Sequence, residues 1–271
     1  MLDVKRRIGT ALLDLMVSRR GYRVVRDLAY GPRSRQKLDV YVPNELKASA
    51  PVILFFYGGS WQSGDKSWYR AFGEAFAGKG IVVAVADYRL YPEVLYPAFV
   101  EDGALALRFV RDRIAGYGGD PARLFIAGHS AGAYNAMMIV CDPRYLHELG
   151  GDLSWVRGLV GISGPYDFLP LKDDKLIEIF GGDRRVETQP ITYVDRAYPP
   201  MLLVTGSQDR TISWKNTKRM AAKLREFGTD VTEIVYPGIG HIEIILSVAR
   251  LLRGRISLRE DIAGFVRKSE S

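Results

Sequence analysis

A single α/β domain on a mostly parallel sheet is predicted for this chain, on three observations. Apolar runs of strand length alternate with segments of helical period along most of the sequence. Two of these runs, Val52-Ile-Leu-Phe-Phe and Ile81-Val-Val-Ala-Val-Ala, are unbroken, as in strands buried on both faces. The length, 271 residues with 47% hydrophobic and 25% charged, supports a core that needs no covalent staples.

The elements follow in order. Residues 22–30 and 37–42 read as two strands split by the turn-rich Gly31-Pro-Arg-Ser. Residues 51–57 form a buried strand, 65–78 a helix closed by glycine, and 81–87 the next strand. Apolar residues at 100, 104, 105, 107, 109, 110 and 114 give the helix period over 97–117. A short strand, 124–127, leads into a helix over 131–140. Strands at 159–162, 201–205 and 232–236 complete the sheet, with a helix over 214–227 and a final helix covering much of 242–267. Residues 166–200 are too long and irregular for a plain connection and read as a small lid-like insertion over the sheet edge. The domain is therefore 21–271, with residues 1–20 as an amphipathic helix of the same domain carrying Ile8, Leu12, Leu15 and Met16 on one face.

Composition narrows the function classes. The net charge is +7, but the basic residues are scattered and no nucleic-acid-binding spacing is present, so no nucleic-acid partner is expected. A single cysteine, Cys141, allows no intrachain disulfide and reads as a small core residue. Asp14 and Arg19-Arg20 interrupt the N-terminal stretch where a signal peptide needs apolar and small residues. No stretch reaches the ~18 apolar residues of a membrane span. A cytoplasmic location is the expectation, with oligomeric state left open.

The chemistry concentrates at Gly128-His129-Ser130-Ala131-Gly132. An apolar strand precedes this G-x-S-x-G pentapeptide and a small-residue helix follows it, the setting of a nucleophile elbow. Ser130 is the candidate nucleophile. Of three histidines, His129 sits inside the elbow with its side chain pointing away, and His147 follows the helix. His241 comes directly after a strand, where α/β sheets place their sites, and is the candidate base. Asp209 follows another strand end and is the candidate orienting carboxylate, with Asp167 a weaker alternative. The order Ser130, Asp209, His241 is that of α/β-hydrolases. Tyr57-Gly58-Gly59-Ser60-Trp61 follows a buried strand, and its glycines can turn backbone N–H groups toward a developing oxyanion. Trp61, with Tyr57 beside it, is expected to line a small apolar pocket. No metal-ligand cluster or phosphate loop competes for the site, and no cofactor is expected.

These stretches, with Asp87-Tyr-Arg-Leu-Tyr-Pro, Tyr96-Pro-Ala-Phe-Val-Glu-Asp and Gly118-Gly-Asp-Pro-Ala-Arg, resemble the esterase branch of the α/β-hydrolases. That branch includes relatives of hormone-sensitive lipase and feruloyl-esterase-like and arylformamidase-like members. The resemblance implies the α/β-hydrolase fold, with oxyanion donors at the amides of Gly59, Ser60 and Ala131, and Gly58 permitting the turn. It implies structural roles for Asp87, Tyr88 and Arg89. Tyr57 stands where that branch usually has a loop-bracing histidine. The expected function is a serine carboxylesterase for short acyl or aryl esters. An arylformamidase on N-formyl aromatic substrates is the enzyme alternative, and a non-catalytic binding protein on the same fold is the alternative of another class.

Overall fold

The computed structural model describes residues 17, 20–46 and 49–269. The helix expected over residues 1–20 lies outside the described residues but for Val17 and Arg20. Among the described residues, eight strands form one sheet: β1 (Tyr22–Ala29), β2 (Lys37–Pro43), β3 (Ala50–Phe56), β4 (Val82–Ala86), β5 (Gly119–His129), β6 (Gly158–Ile162), β7 (Met201–Gly206) and β8 (Val231–Tyr236). Their order is β1-β2-β4-β3-β5-β6-β7-β8. β1 and β2 run antiparallel, and every pair from β4 to β8 is parallel. This is the α/β-hydrolase architecture.

The helices are α1 (Arg70–Ala77), α2 (Ala98–Arg113), α3 (Ala131–Cys141), α4 (Arg144–His147), α5 (Asp174–Phe180), α6 (Lys215–Glu226), α7 (His241–Leu246) and α8 (Leu258–Lys268). Successive strand residues point to opposite faces. On β3, Phe55 stacks on Phe72 of α1 at 3.9 Å between ring centres, and Phe56 points instead at Gly103 of α2. So α1 covers one face and α2 the other. Every residue of α3 is buried, as suits a helix made mostly of Ala, Gly, Met, Ile and Val with no polar stripe.

The chain leaves β3 for β4 on one side and then returns past β3 to lay down β5 on the other. The switch point between β3 and β5 opens a crevice at their C-terminal ends. The loop 57–61 and the turn at Ser130 both emerge there.

One expectation about the elements is corrected. The final helix over 242–267 is two helices, α7 and α8. Residues between them turn, with Arg253 donating to the Val248 carbonyl and Gly254 at φ 97°, a left-handed conformation that glycine takes at no steric cost. The segment 166–200 packs over groups that follow the C-terminal ends of β3 and β5. Its Phe168 and Phe180 rings pack on Trp61, and Tyr134 of α3 donates to the Thr188 carbonyl at 2.6 Å. It therefore covers the loop after β3 and the helix after β5.

Candidate active site

Ser130 caps β5 and opens α3 with φ 54° and ψ −121°, a sparsely populated conformation for a residue with a side chain. Its amide donates to the Ile162 carbonyl of β6 at 2.9 Å, which fixes the turn to the sheet. The flanking glycines are a packing requirement. A Cβ on Gly128 would strike the Gly132 backbone, and one on Gly132 would strike the Phe56 and Tyr57 carbonyls. Backbone atoms cannot step aside, so only glycine lets β3, the elbow and α3 approach this closely.

His241 opens α7 in the turn after β8. Its Nε2 lies 2.9 Å from Ser130 Oγ and its Nδ1 2.7 Å from Asp209 Oδ2. Asp209 sits in the turn after β7, and its other oxygen, Oδ1, accepts the amides of Thr211 at 3.0 Å and Ile212 at 2.8 Å. Burial alone would raise the Asp209 pKa. The hydrogen bond from His241 and then that from Ile212 outweigh it, and the carboxyl is held below its ordinary value. An ionised Oδ2 can only accept, so His241 Nδ1 carries the proton and Nε2 accepts from the serine hydroxyl. The three residues thus form one directed hydrogen-bond chain, the arrangement that a serine nucleophile with an oriented base requires. Asp167 is elsewhere, paired with Arg219. His147 is exposed on α4.

Opposite Ser130, the loop after β3 turns on Gly59 at φ 145°, whose carbonyl accepts from both Gln62 and Ser63 at 3.0 Å. Ser60 and Trp61 follow in the left-handed region at φ 52° and 59°. Such strain in two consecutive non-glycine residues persists only where the surroundings enforce it. Among the described residues, no oxygen takes up the amide protons of Gly59, Ser60 or Ala131. Those N–H groups are available to an anion at the N-terminus of α3, whose dipole favours negative charge.

Tyr57 and Trp61 are placed in the packed interior rather than on a pocket wall. Trp61 is 3% exposed, enclosed by Phe99, Tyr134, Phe168 and Phe180, and its indole N–H donates to Asn135 Oδ1 at 3.0 Å. Tyr57 is fully buried and stacks on Tyr88. Its hydroxyl accepts from Arg35, whose guanidinium also donates to the Gly64 and Tyr88 carbonyls at 2.8 and 2.9 Å. Tyr88 in turn donates to the Tyr57 carbonyl at 2.8 Å. Arg35 is the partner that lets tyrosine stand here. Asp87 accepts the Lys66 amide at 2.9 Å, and Arg89 grips the fully buried Asp102. Burial pushes the Cys141 thiol up, away from thiolate chemistry.

An apolar groove of about 270 Å³ is lined by Tyr69, Ala71, Phe72, Ile242, Ile245 and Leu246; Ile242 follows His241 in the chain, but neither His241 nor Ser130 lines it. Trp68 and Ile242 on its lining are 52% and 57% exposed. Among the described residues no group of acidic, histidine or cysteine side chains is arranged to hold a metal ion, and no helix is long and apolar enough to cross a membrane.

His129 is fully enclosed. Burial chiefly, and then the neighbouring His241, push its pKa down to about 3. Between pH ~6.5 and ~3 the unfolded chain therefore binds a proton that the folded chain refuses, and stability is lost as pH falls through that window, by at most about 1.4 kcal/mol per unit. Urea unfolding at pH 7 and pH 5 is expected to show a larger drop for the native protein than for His129→Gln. Equal drops would contradict this origin.

Tyr69, Arg35 and Asn135 were not legible as site residues, since no motif marks them. Their partners lie 11 to 74 positions away.

Comparison with known proteins agrees with this geometry. The BD-FAE family model matches residues 38–224. A probable isoprenylcysteine alpha-carbonyl methylesterase of Oryza sativa is 28% identical over 92% of this chain and 65% of its own length. Esterase LipC of Mycobacterium tuberculosis is 30% identical over 83% of this chain and 61% of its own. The chain thus spans less than two thirds of either relative. Among solved structures, apo Thermogutta terrifontis esterase 2 superposes with a TM-score of 0.77 at 25% identity, over 93% of this chain and 96% of that one. With the family model spanning well over half of its residues, the chain belongs to the BD-FAE family, and it shares the α/β-hydrolase fold of the esterase structure it superposes on.

Proposed function

We propose that this protein is a serine carboxylic ester hydrolase working through an acyl-enzyme on Ser130. The observation that carries this reading is the directed chain Asp209–His241–Ser130, at 2.7 and 2.9 Å, facing the unclaimed amides of Gly59, Ser60 and Ala131. His241 Nε2 takes the hydroxyl proton as Ser130 Oγ bonds to the ester carbonyl carbon. The carbonyl oxygen becomes an oxyanion held by the three amides, and Asp209 stabilises the imidazolium. His241 then protonates the leaving alcohol as the ester C–O bond breaks. Water, deprotonated by His241, attacks the acyl-enzyme and releases the acid.

The apolar groove that begins at Ile242, one residue past the base, supports esters with an apolar chain alongside the short acyl groups expected from sequence. One wall is the residue after the base, and the other carries Tyr69, whose hydroxyl meets the Gly58 amide at 3.1 Å. Burying a methylene is worth ~0.8 kcal/mol, about fourfold in kcat/KM. Across p-nitrophenyl acetate, butyrate, octanoate and laurate, kcat/KM is expected to climb until the groove is full, and to exceed that on N-formylkynurenine throughout. A profile that peaks at acetate would return the reading to short acyl esters. A preference for N-formylkynurenine would replace it with the formamidase.

A further inference from the structure

Behind the reacting atoms lies a second buried hydrogen-bond chain. The Gly58 amide lies 3.1 Å from the Tyr69 hydroxyl oxygen, the same oxygen lies 3.1 Å from His129 Nδ1, and His129 Nε2 lies 3.1 Å from the His241 carbonyl oxygen. The ends fix every proton between them. A backbone amide can only donate, so the Tyr69 oxygen accepts from Gly58. A carbonyl can only accept, so His129 carries its proton on Nε2. A neutral imidazole then leaves Nδ1 as an acceptor, and the Tyr69 O–H donates to it. Burial supports both protonation states, pushing the tyrosine up to about 12 and the histidine down to about 3.

The chain joins three pieces of the site that lie far apart in sequence. Gly58 precedes the two loop residues whose amides face Ser130. His129 immediately precedes the nucleophile. His241 is the base itself, held here through its backbone rather than its ring. The imidazoles of His129 and His241 sit with their centres 4.9 Å apart. Among the described residues, no element of secondary structure spans from the loop after β3 to the turn after β8.

We propose that Tyr69 and His129 form a positioning unit that sets the oxyanion loop and His241 in register with Ser130. This rests on the ester-hydrolase reading for its kinetic consequence, though not for its proton assignment. Neither side chain reaches the reacting atoms, and the Tyr69 hydroxyl is taken up by Gly58 and His129 although the residue also lines the apolar groove. Both act on the transition state by fixing where the oxyanion donors and the base stand, and sub-ångström displacement of oxyanion donors is costly because their bonds tighten only as charge develops.

The test is Tyr69→Phe, which keeps the ring and its packing on Phe55 and Tyr57 while leaving the Gly58 amide and His129 Nδ1 unpartnered. The expected result is a kcat lower by about 10- to 100-fold, KM within twofold, and a parallel loss of affinity for a trifluoromethyl ketone, which mimics the tetrahedral intermediate. His129→Gln, able to keep a donor toward the His241 carbonyl, should retain more kcat than His129→Leu. A folded Tyr69→Phe protein with native kcat and native affinity for the ketone would overturn the proposal, as would a loss confined to KM. Independently of turnover, ¹⁵N NMR at pH 7 should show His129 as the neutral Nε2–H tautomer. Protonation on Nδ1 would overturn the proton assignment even in an active enzyme. A wild-type protein that hydrolyses no ester yet shows the Nε2–H tautomer would defeat the functional reading and the kinetic half of this inference, leaving the proton assignment standing.

Discussion

Asn in place of Asp209 is expected to lower kcat by about 10⁴-fold with little change in fold. The reason lies in which oxygen does what. Oδ1 accepts two backbone amides, from Thr211 and Ile212, and Oδ2 accepts His241 Nδ1–H. An asparagine has one oxygen, and the two amide donors claim it. Its NH₂ group then faces His241 and donates to Nδ1. The imidazole must move its proton to Nε2, where it meets the Ser130 hydroxyl as a donor rather than an acceptor. The nucleophile keeps its proton, and catalysis falls to what the oxyanion amides alone provide. Single-turnover kinetics, with circular dichroism as the control for fold, measure this. A loss below tenfold in Asp209→Asn would show that another group orients the base.

The second large effect is Ser130→Ala. Removing the nucleophile is expected to cost about 10⁴- to 10⁶-fold in kcat. Alanine must adopt the same φ of 54°, so the backbone strain is unchanged, and the lost hydroxyl leaves His241 Nε2 without a partner in a site that is only partly enclosed. Stability should stay within about 1 kcal/mol of the native protein. The contrast of lost turnover with preserved unfolding midpoint separates a chemical role from a structural one.

How much of this was legible beforehand differs by kind of residue. The eight strands are placed by sequence to within a few residues, because buried parallel strands are continuous apolar runs that little else imitates. The turn at Ser130 was legible because strand–turn–helix geometry demands small residues at fixed offsets. His241 and Asp209 were legible because they follow strands, and strand ends at a switch point converge. Trp61 was read as a pocket wall from its place after two glycines. Its enclosing rings, Phe168 and Phe180, come from the segment between β6 and β7, and no local pattern announces that pairing. Tyr57 is the same lesson in reverse. It looked like a departure from the usual histidine until Arg35, in the hairpin between β1 and β2, proved to be the group that its hydroxyl meets. Tyr69 and His129 were invisible for a different reason. Their function is to connect backbone atoms of two loops, and backbone partners leave no trace in residue identity. The break between α7 and α8 was missed because Val248, Leu251 and Leu252 continue the apolar period past Leu246, where α7 ends.

The central claim is that Ser130 Oγ is a nucleophile activated by His241. A fluorophosphonate reacts only with such a serine, leaving a stable phosphonyl adduct. Mass mapping of the labelled, digested protein is predicted to find one adduct, on Ser130, whose formation is abolished in Ser130→Ala and slowed at least a hundredfold in Asp209→Asn. An adduct on any other residue, or none on a folded protein, would contradict the account.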